Sequence, residues 1–297
     1  RIIAWIGGAS FTTASAYIAD VSVEENRAKN FGMIGAAFGL GFIIGPLLGG
    51  VFGELGVRVP FYVAAVLAFS NFLYGYFILP ESLSEENRRE FDWGRANPIG
   101  TLRQLFNISG IGYLLLAFLL MNLASHAVNS NWAYFTIYRF GWSEFMVGLS
   151  LAVAGVLVGV VQGGFAQKAY NYFGAGKSIY LGFALSGIGM LLFAFASETW
   201  MMFVFLIPFC VGGIATPNLQ SYLTSKVGTN QQGELQGGLT AIQSLTTIVG
   251  PIMMTGIFFF TTKEGTPFYF PGSAFALAAL LIFGSFTIAF SLLRKRS

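Results

Sequence analysis

The sequence predicts an all-α membrane protein, a bundle of nine transmembrane helices, and three observations predict it. Only 10% of the 297 residues are charged while 55% are hydrophobic, against about a quarter charged in a soluble domain. The apolar excess raises mean hydropathy to +0.68, and it recurs along the whole chain in stretches of about 20 residues, the length at which a helix crosses a hydrocarbon core. The alternation of a lipid-facing barrel strand is absent, and open strands would leave backbone groups that lipid cannot satisfy.

The nine spans follow in order, most of them bounded by charge. The first lies near 1–19, between Arg1 and Asp20. Arg27 and Lys29 lead into the second, 31–53, which carries Gly41-Phe-Ile-Ile-Gly45-Pro46-Leu-Leu-Gly49-Gly50. Glycines four apart make a flat face for close helix packing, and Pro46 removes one backbone bond, so the helix can bend where two halves meet. Arg58 precedes the third span, 59–79, and the charged stretch 81–107 reads as a loop. The fourth, 111–138, carries Asn122, Ser125, His126 and Asn129 within about 100° of one helix face. Arg139 separates it from the fifth, 144–166. Lys168 and Lys177 precede the sixth, 178–196, and the seventh covers 199–222. Lys226 leads to the eighth, 235–261, and Lys263 to the ninth, 268–292, before the closing Arg294-Lys295-Arg296.

Sorted by side, twelve Lys and Arg, from Arg27 to Arg296, fall on one face of the membrane and only Arg58, Arg139 and Lys263 on the other. Short loops rich in Lys and Arg stay cytoplasmic, so the 81–107 loop and the C-terminus are expected there. This asymmetry accounts for the isoelectric point near 9.0 without a nucleic-acid partner. A single cysteine, Cys210, excludes an internal disulfide and any multi-cysteine metal site.

Self-comparison reveals a repeat. At an offset of 205 residues Gly7-Gly8 falls on Gly212-Gly213, Tyr17 on Tyr222, Gly32 on Gly237, and Gly45-Pro46 on Gly250-Pro251. The first three spans thus repeat as the last three, in the same membrane direction because six spans separate them. Such repeats build transporters from two halves related by an axis along the membrane normal.

On these residues the chain resembles the major facilitator superfamily, and within it the tetracycline-efflux branch of drug:proton antiporters. The Gly41 to Gly50 stretch matches the family's antiporter motif. Ala16-Tyr17-Ile18-Ala19-Asp20, Leu79-Pro80-Glu81-Ser82 and Gln232-Gly233-Glu234-Leu235-Gln236-Gly237 resemble that branch in particular. The resemblance implies a major facilitator fold of twelve helices, of which nine are present and the first three precede residue 1. It divides the chain into 1–80, the last three helices of one half; 81–107, the central loop; and 108–297, the other six-helix half. It implies a proton-coupling role for Arg1, and conformational roles for Asp20, Gly41, Gly45, Pro46, Gly49, Gly50, Gly250 and Pro251. Tetracycline exporters also carry a His in the eighth family helix and an Asp in the ninth. Here those positions read Val158 and Ser186, so coupling through that pair is not expected.

A polar stripe in lipid should face other helices or a watery path. His126, the only histidine, has an ordinary pKa suited to proton exchange near neutrality, or it stands neutral, hydrogen-bonded between helices. Gln162, Gln220 and Gln243, with Asn218, and Asn71 at lower weight, either bind a ligand or join helices. Gly174-Ala175-Gly176-Lys177-Ser178 lacks the first glycine of a phosphate loop, since position 171 is Asn171. One His and one Cys leave no nucleophile–base pair or metal cluster, so an enzyme is not expected.

The expectation is therefore a secondary active exporter of a small hydrophobic drug. It works by alternating access with the proton gradient as its energy source and no cofactor. It sits as a monomer in the lipid bilayer of a bacterial inner membrane. A major facilitator carrying a metabolite is the alternative, because fold does not fix cargo.

Overall fold

A computed structural model of the chain describes residues 13–53, 55–56, 58–82, 111–228 and 231–294, and all regular structure among them is helical. Helix α1 covers 13–21, followed by α2 Glu24–Gly53 and α3 Val59–Phe77. Then come α4 Ile111–Asn129, α5 Trp132–Phe140 and α6 Glu144–Val160, a π-helical turn Val161–Phe165, and α7 Ala166–Ala194. The chain continues through α8 Thr199–Gly212, α9 Ala215–Ser225, α10 Gln232–Thr262 and α11 Ser273–Leu293.

Among the described residues six helical stretches are long and apolar enough to cross a membrane: Val59–Phe77, Ile111–Asn129, Phe145–Ala194, Thr199–Ser225, Gln232–Thr262 and Ser273–Leu293. The chain is a multi-pass integral membrane protein. The 50 residues of Phe145–Ala194 hold two of the expected spans, because the chain turns without a loop. Gly174, at φ 78° and ψ 166°, breaks the helix there in a conformation that only glycine adopts readily.

The expected continuous helix over 111–138 is instead two helices. Asn131 begins α5 and is fully buried, and Ser130 folds back to donate from Oγ to the His126 carbonyl at 2.5 Å. A short polar interruption of this kind does not lower the mean hydropathy enough to mark a boundary. Thr199–Ser225 is likewise parted between α8 and α9, where Gly213 N–H bonds Cys210 O at 2.9 Å and Ile214 N–H bonds Val211 O at 3.2 Å.

The core lies where α7, α8, α11 and α4 meet. Leu114, Leu115 and Phe118 of α4 are buried with Ile179, Phe183, Met190 and Phe193 of α7, Met202 and Leu206 of α8, and Phe275 and Ala278 of α11. In lipid the drive for such contacts is close packing and hydrogen bonding rather than escape from water. Both are visible here. A Cβ at Gly182 would lie 2.7 Å from Ala215 N, and one at Gly189 would lie 2.7 Å from Phe209 Cα. Ser285 Oγ donates to Ala117 O at 2.9 Å, pinning α11 to α4. By contrast no residue of α3 is buried, and Phe61, Phe69, Phe72 and Tyr76 lie open on it.

Helix α2 joins the rest through glycine. A Cβ at Gly39 would lie 2.7 Å from Gly155 O and 3.2 Å from Gly159 Cα. Gly32 sits on the Gln162 carbonyl and Gly35 on the Gln162 side chain, while Gly163 faces Ala36. The flat face expected of Gly41 and Gly45 is not this seam: among the described residues nothing lies within 4 Å of a Cβ at either. The close contact runs along Gly32, Gly35 and Gly39, three to four residues apart and therefore on one face of the helix.

Candidate functional site

A cavity of about 240 Å³ opens between α4, α6, the π turn, α7, α8, α9 and α11. Its apolar wall comes from Met121, Val158, Met190, Phe209 and Ile282, and its polar groups from Asn122, Ser125, Gln162, Ser186, Cys210 and Thr216. Among the described residues no Asp, Glu, Lys, Arg or His lines it. A site so composed can hold an apolar body and hydrogen-bond an uncharged polar group on it, the usual make-up of a small-molecule site.

Local structure sets what each polar group offers. Asn122 donates from Nδ2 to Phe118 O at 2.8 Å, leaving its carbonyl oxygen and second N–H for a ligand. The Ser125 hydroxyl donates to Asn122 O at 2.7 Å and so presents its lone pairs. Gln162 reaches the cavity from the π turn, whose extra residue per turn re-aims side chains and recurs at functional sites. Its side chain also lies against Gly35 of α2, so one residue touches both the cavity and the α2 seam.

The structure brings together three of the residues expected at a site, Asn122, Ser125 and Gln162, and leaves others apart. His126 is buried and does not line the cavity, its imidazole lying on Gly250 of α10. Asn129 ends α4 and Gln220 stands on α9, neither of them on the cavity. Gln243 lies on α10, where its carbonyl accepts from Thr246 Oγ1 at 2.9 Å and Thr247 Oγ1 at 2.8 Å. Asn218 joins helices, donating to Ala166 O at 3.3 Å and Ile214 O at 2.8 Å. Asn71 lies exposed on α3. Arg1 falls outside the described residues, and Gly49 and Gly50 with Pro46 are placed on α2, Pro251 on α10.

Asp20, beyond the end of the first span, accepts from Ser82 Oγ at 3.1 Å. Burial pushes its carboxyl above the usual aspartate range. The Ser82 bond lowers it and the nearby Glu81 carboxylate raises it further.

Residues that sequence reasoning did not propose for the site are Met121, Met190, Phe209, Cys210 and Thr216, and Val158 and Ser186 enter only as departures from a resemblance. Gly182, Ser186 and Gly189 recur at helical spacing as a face of small residues, a signal for an approach of helices around Ser186.

A family profile described as Major Facilitator Superfamily matches residues 1–251. The chain is similar to the class C tetracycline resistance protein of Escherichia coli, 40% identical over 258 residues, which is 87% of this chain and 65% of that protein. It is also similar to the class H tetracycline resistance protein of Pasteurella multocida, 31% identical over 285 residues, 95% of this chain and 69% of that protein. The chain thus spans about two thirds of the length of these relatives. Among solved structures, the human organic anion transporter MFSD10 (TETRAN) superposes with a TM-score of 0.80 over 94% of this chain and 67% of that one, at 21% identity.

Proposed function

The chain belongs to the major facilitator superfamily, and on that premise we propose that it exports a small hydrophobic drug from the cytoplasm as protons enter. The observation that carries this reading is the uncharged cavity, in which Asn122, Ser125, Gln162, Ser186 and Thr216 stand among Met121, Met190 and Phe209. Apolar side chains take up the body of the solute and the amides and hydroxyls orient it. Residues 1–80 and 108–297 belong to two halves, with the 81–107 loop and the C-terminus cytoplasmic. The halves rock about the cavity to expose it to each side in turn. The protein acts as a monomer in a bacterial inner membrane and needs no cofactor beyond the gradient.

With no Asp, Glu, Lys, Arg or His on the described cavity wall, the proton is carried elsewhere, and Asp20 and Arg1 are the candidates. Asn129, Gln220 and Gln243 act between helices in this reading, and His126 packs α4 on α10.

A second reading is favoured by one observation. Val158 and Ser186 both line the cavity, where the resemblance to tetracycline exporters implies a His and an Asp, so the cargo is a different uncharged solute, such as a metabolite. Everted membrane vesicles containing the protein test both readings. Drug or dye should accumulate on energisation and leave on addition of an uncoupler, and Gln162→Ala should weaken accumulation about tenfold, the scale of one lost ligand hydrogen bond of about 1.4 kcal/mol. Vesicles that accumulate no amphipathic drug with either protein would support the metabolite reading.

A further inference from the structure

Helices α7 and α11 meet at a corner that carries cations only. Neither 145–197 nor 265–297 contains an Asp or Glu, whereas Lys168, Lys177, Arg294, Lys295 and Arg296 all fall within them. The two helices pack closely up to that end: a Cβ at Gly187 would lie 2.9 Å from the Phe283 ring, and one at Gly176 would lie 3.2 Å from Leu293 Cβ. Lys177 and Arg294, both exposed, each follow directly on a residue of that last contact. They therefore leave the two helices at one level, and their long side chains can reach a common anion. One turn further into each helix the seam is aromatic. Tyr180 meets Phe290 at 5.3 Å between ring centroids and Phe286 at 6.4 Å, and the Arg294 guanidinium stands over the Phe290 ring at 5.2 Å. All three rings are partly exposed.

We propose that this corner is a binding site for one anionic phospholipid, with its phosphate between Lys177 and Arg294 and an acyl chain along Tyr180, Phe286 and Phe290. Charge complementarity carries the assignment, since no carboxylate of either segment competes for the two cations, and basic residues at the end of a membrane helix attract anionic headgroups. The α7 helix restarts after its break at Gly174, so the positive end of its dipole adds to the field at the same corner. The Gly174 to Ser178 stretch, which lacks the first glycine of a nucleotide loop, has here only a single phosphate to meet. The rings beneath the cations favour a lipid over a soluble anion, because a soluble anion has no apolar body to lay along them. The site shares no residue with the cavity, so it holds for any cargo, and a lipid seated there ties α7 to α11.

The test titrates phosphatidylglycerol, and separately phosphatidylcholine, into the purified protein in detergent micelles and counts bound lipids by native mass spectrometry. The first phosphatidylglycerol should bind more tightly than the second and more tightly than phosphatidylcholine. Lys177→Gln and Arg294→Gln should each weaken that first step about fivefold, and the two together about thirtyfold, the scale of one and two cations beside an anionic surface. Lys168→Gln with Lys226→Gln removes as much charge from two other exposed positions and should leave the step unchanged. An equal loss in that control would mean diffuse attraction to a basic face and overturn the site. A loss with Arg294→Gln but none with Lys177→Gln would reduce it to the basic C-terminal segment and overturn a site built on two helices. Equal affinity for phosphatidylcholine would remove the role of charge and overturn it too. Excess inorganic phosphate should not displace the lipid; displacement would identify a site for a soluble anion instead.

Discussion

The imidazole of His126 on α4 lies directly on Gly250 of α10, so closely that a Cβ at position 250 would come within 2.9 Å of His126 Cβ and fall onto the ring itself. Gly250→Ala must therefore push the two helices apart or drive His126 off its rotamer. Overpacking of this kind costs about 1–3 kcal/mol, and the gain in helix propensity from Gly to Ala, about 1 kcal/mol, offsets only part of it. Thermal unfolding in detergent should show a lowered Tm for Gly250→Ala and recovery when His126→Ala is added. Additive losses in the double variant would mean that the two residues are not in contact. Since His126 is off the cavity, His126→Gln should leave transport unchanged.

This contact also shows where sequence reasoning stops. That Asn122, Ser125 and His126 share a face follows from helical period alone, and the first two do line the cavity. What separates His126 from them is the neighbour it meets, and hydropathy says nothing of which helix packs where. The Gly-x-x-x-Gly spacing likewise announced a tight seam on α2, but among the described residues it is Gly32, Gly35 and Gly39, not Gly41 and Gly45, that meet a neighbour, Gly32 and Gly39 on backbone and Gly35 on the Gln162 side chain. Gln162 was visible as a polar residue in an apolar span. The π turn that aims it into the cavity was not, because one extra residue in a helix leaves composition untouched. Ser186 and Cys210 were invisible as site residues for the opposite reason, since small side chains in an apolar helix read as packing.

Trp132 gives a second stability prediction. Its Nε1–H donates to Ser150 Oγ at 2.9 Å, and that hydroxyl donates onward to Val147 O at 2.7 Å, both bonds buried. The indole also meets Phe193 edge-on at 5.1 Å between ring centroids and Phe275 at 6.2 Å. Trp132→Phe keeps an aromatic ring but orphans one acceptor on Ser150, so a loss of about 1–2 kcal/mol is expected. Ser150→Ala should cost less than Ser150→Val, because Ala leaves room for the indole N–H to find water. Equal stability of Trp132→Phe and the unsubstituted protein would show that the hydrogen bond contributes nothing.

The Asp20 carboxyl predicts a pH dependence. Burial raises its folded-state pKa and Glu81 adds to the rise, against the lowering by the Ser82 hydroxyl. A carboxyl with a higher pKa folded than unfolded favours folding when protonated, so stability falls as pH climbs from the ordinary aspartate range through the raised value. Asp20→Asn should therefore unfold at a higher temperature than the unsubstituted protein at neutral pH, and the difference should vanish in acid. Ser82→Ala should act in the opposite direction at neutral pH, since it removes a hydrogen bond that favours the charged form. Melting curves of the three proteins across pH settle the sign. A lower melting temperature for Asp20→Asn at neutral pH would mean that a cation holds the carboxylate.

The uncharged cavity makes the sharpest prediction. Val158 on α6 and Ser186 on α7 face the same space of about 240 Å³, and Ser186 is backed by Gly212, which leaves no slack behind it. Ser186→Asp would strand a carboxylate among Met121, Met190 and Phe209, and an unpaired buried charge typically costs about 3–5 kcal/mol. Ser186→Asn has the same bulk without the charge, so the difference between Asp and Asn isolates electrostatics from crowding. Adding Val158→His supplies a cation across the cavity and should return most of that difference, while Val158→His alone should cost stability as a second lone ionisable group. The coupling read from the four melting temperatures is a direct measure of whether the two positions face each other. A double variant no more stable than the sum of its single losses would place them on separate walls. It would then remove the geometric reason for regarding Val158 and Ser186 as two sides of one site.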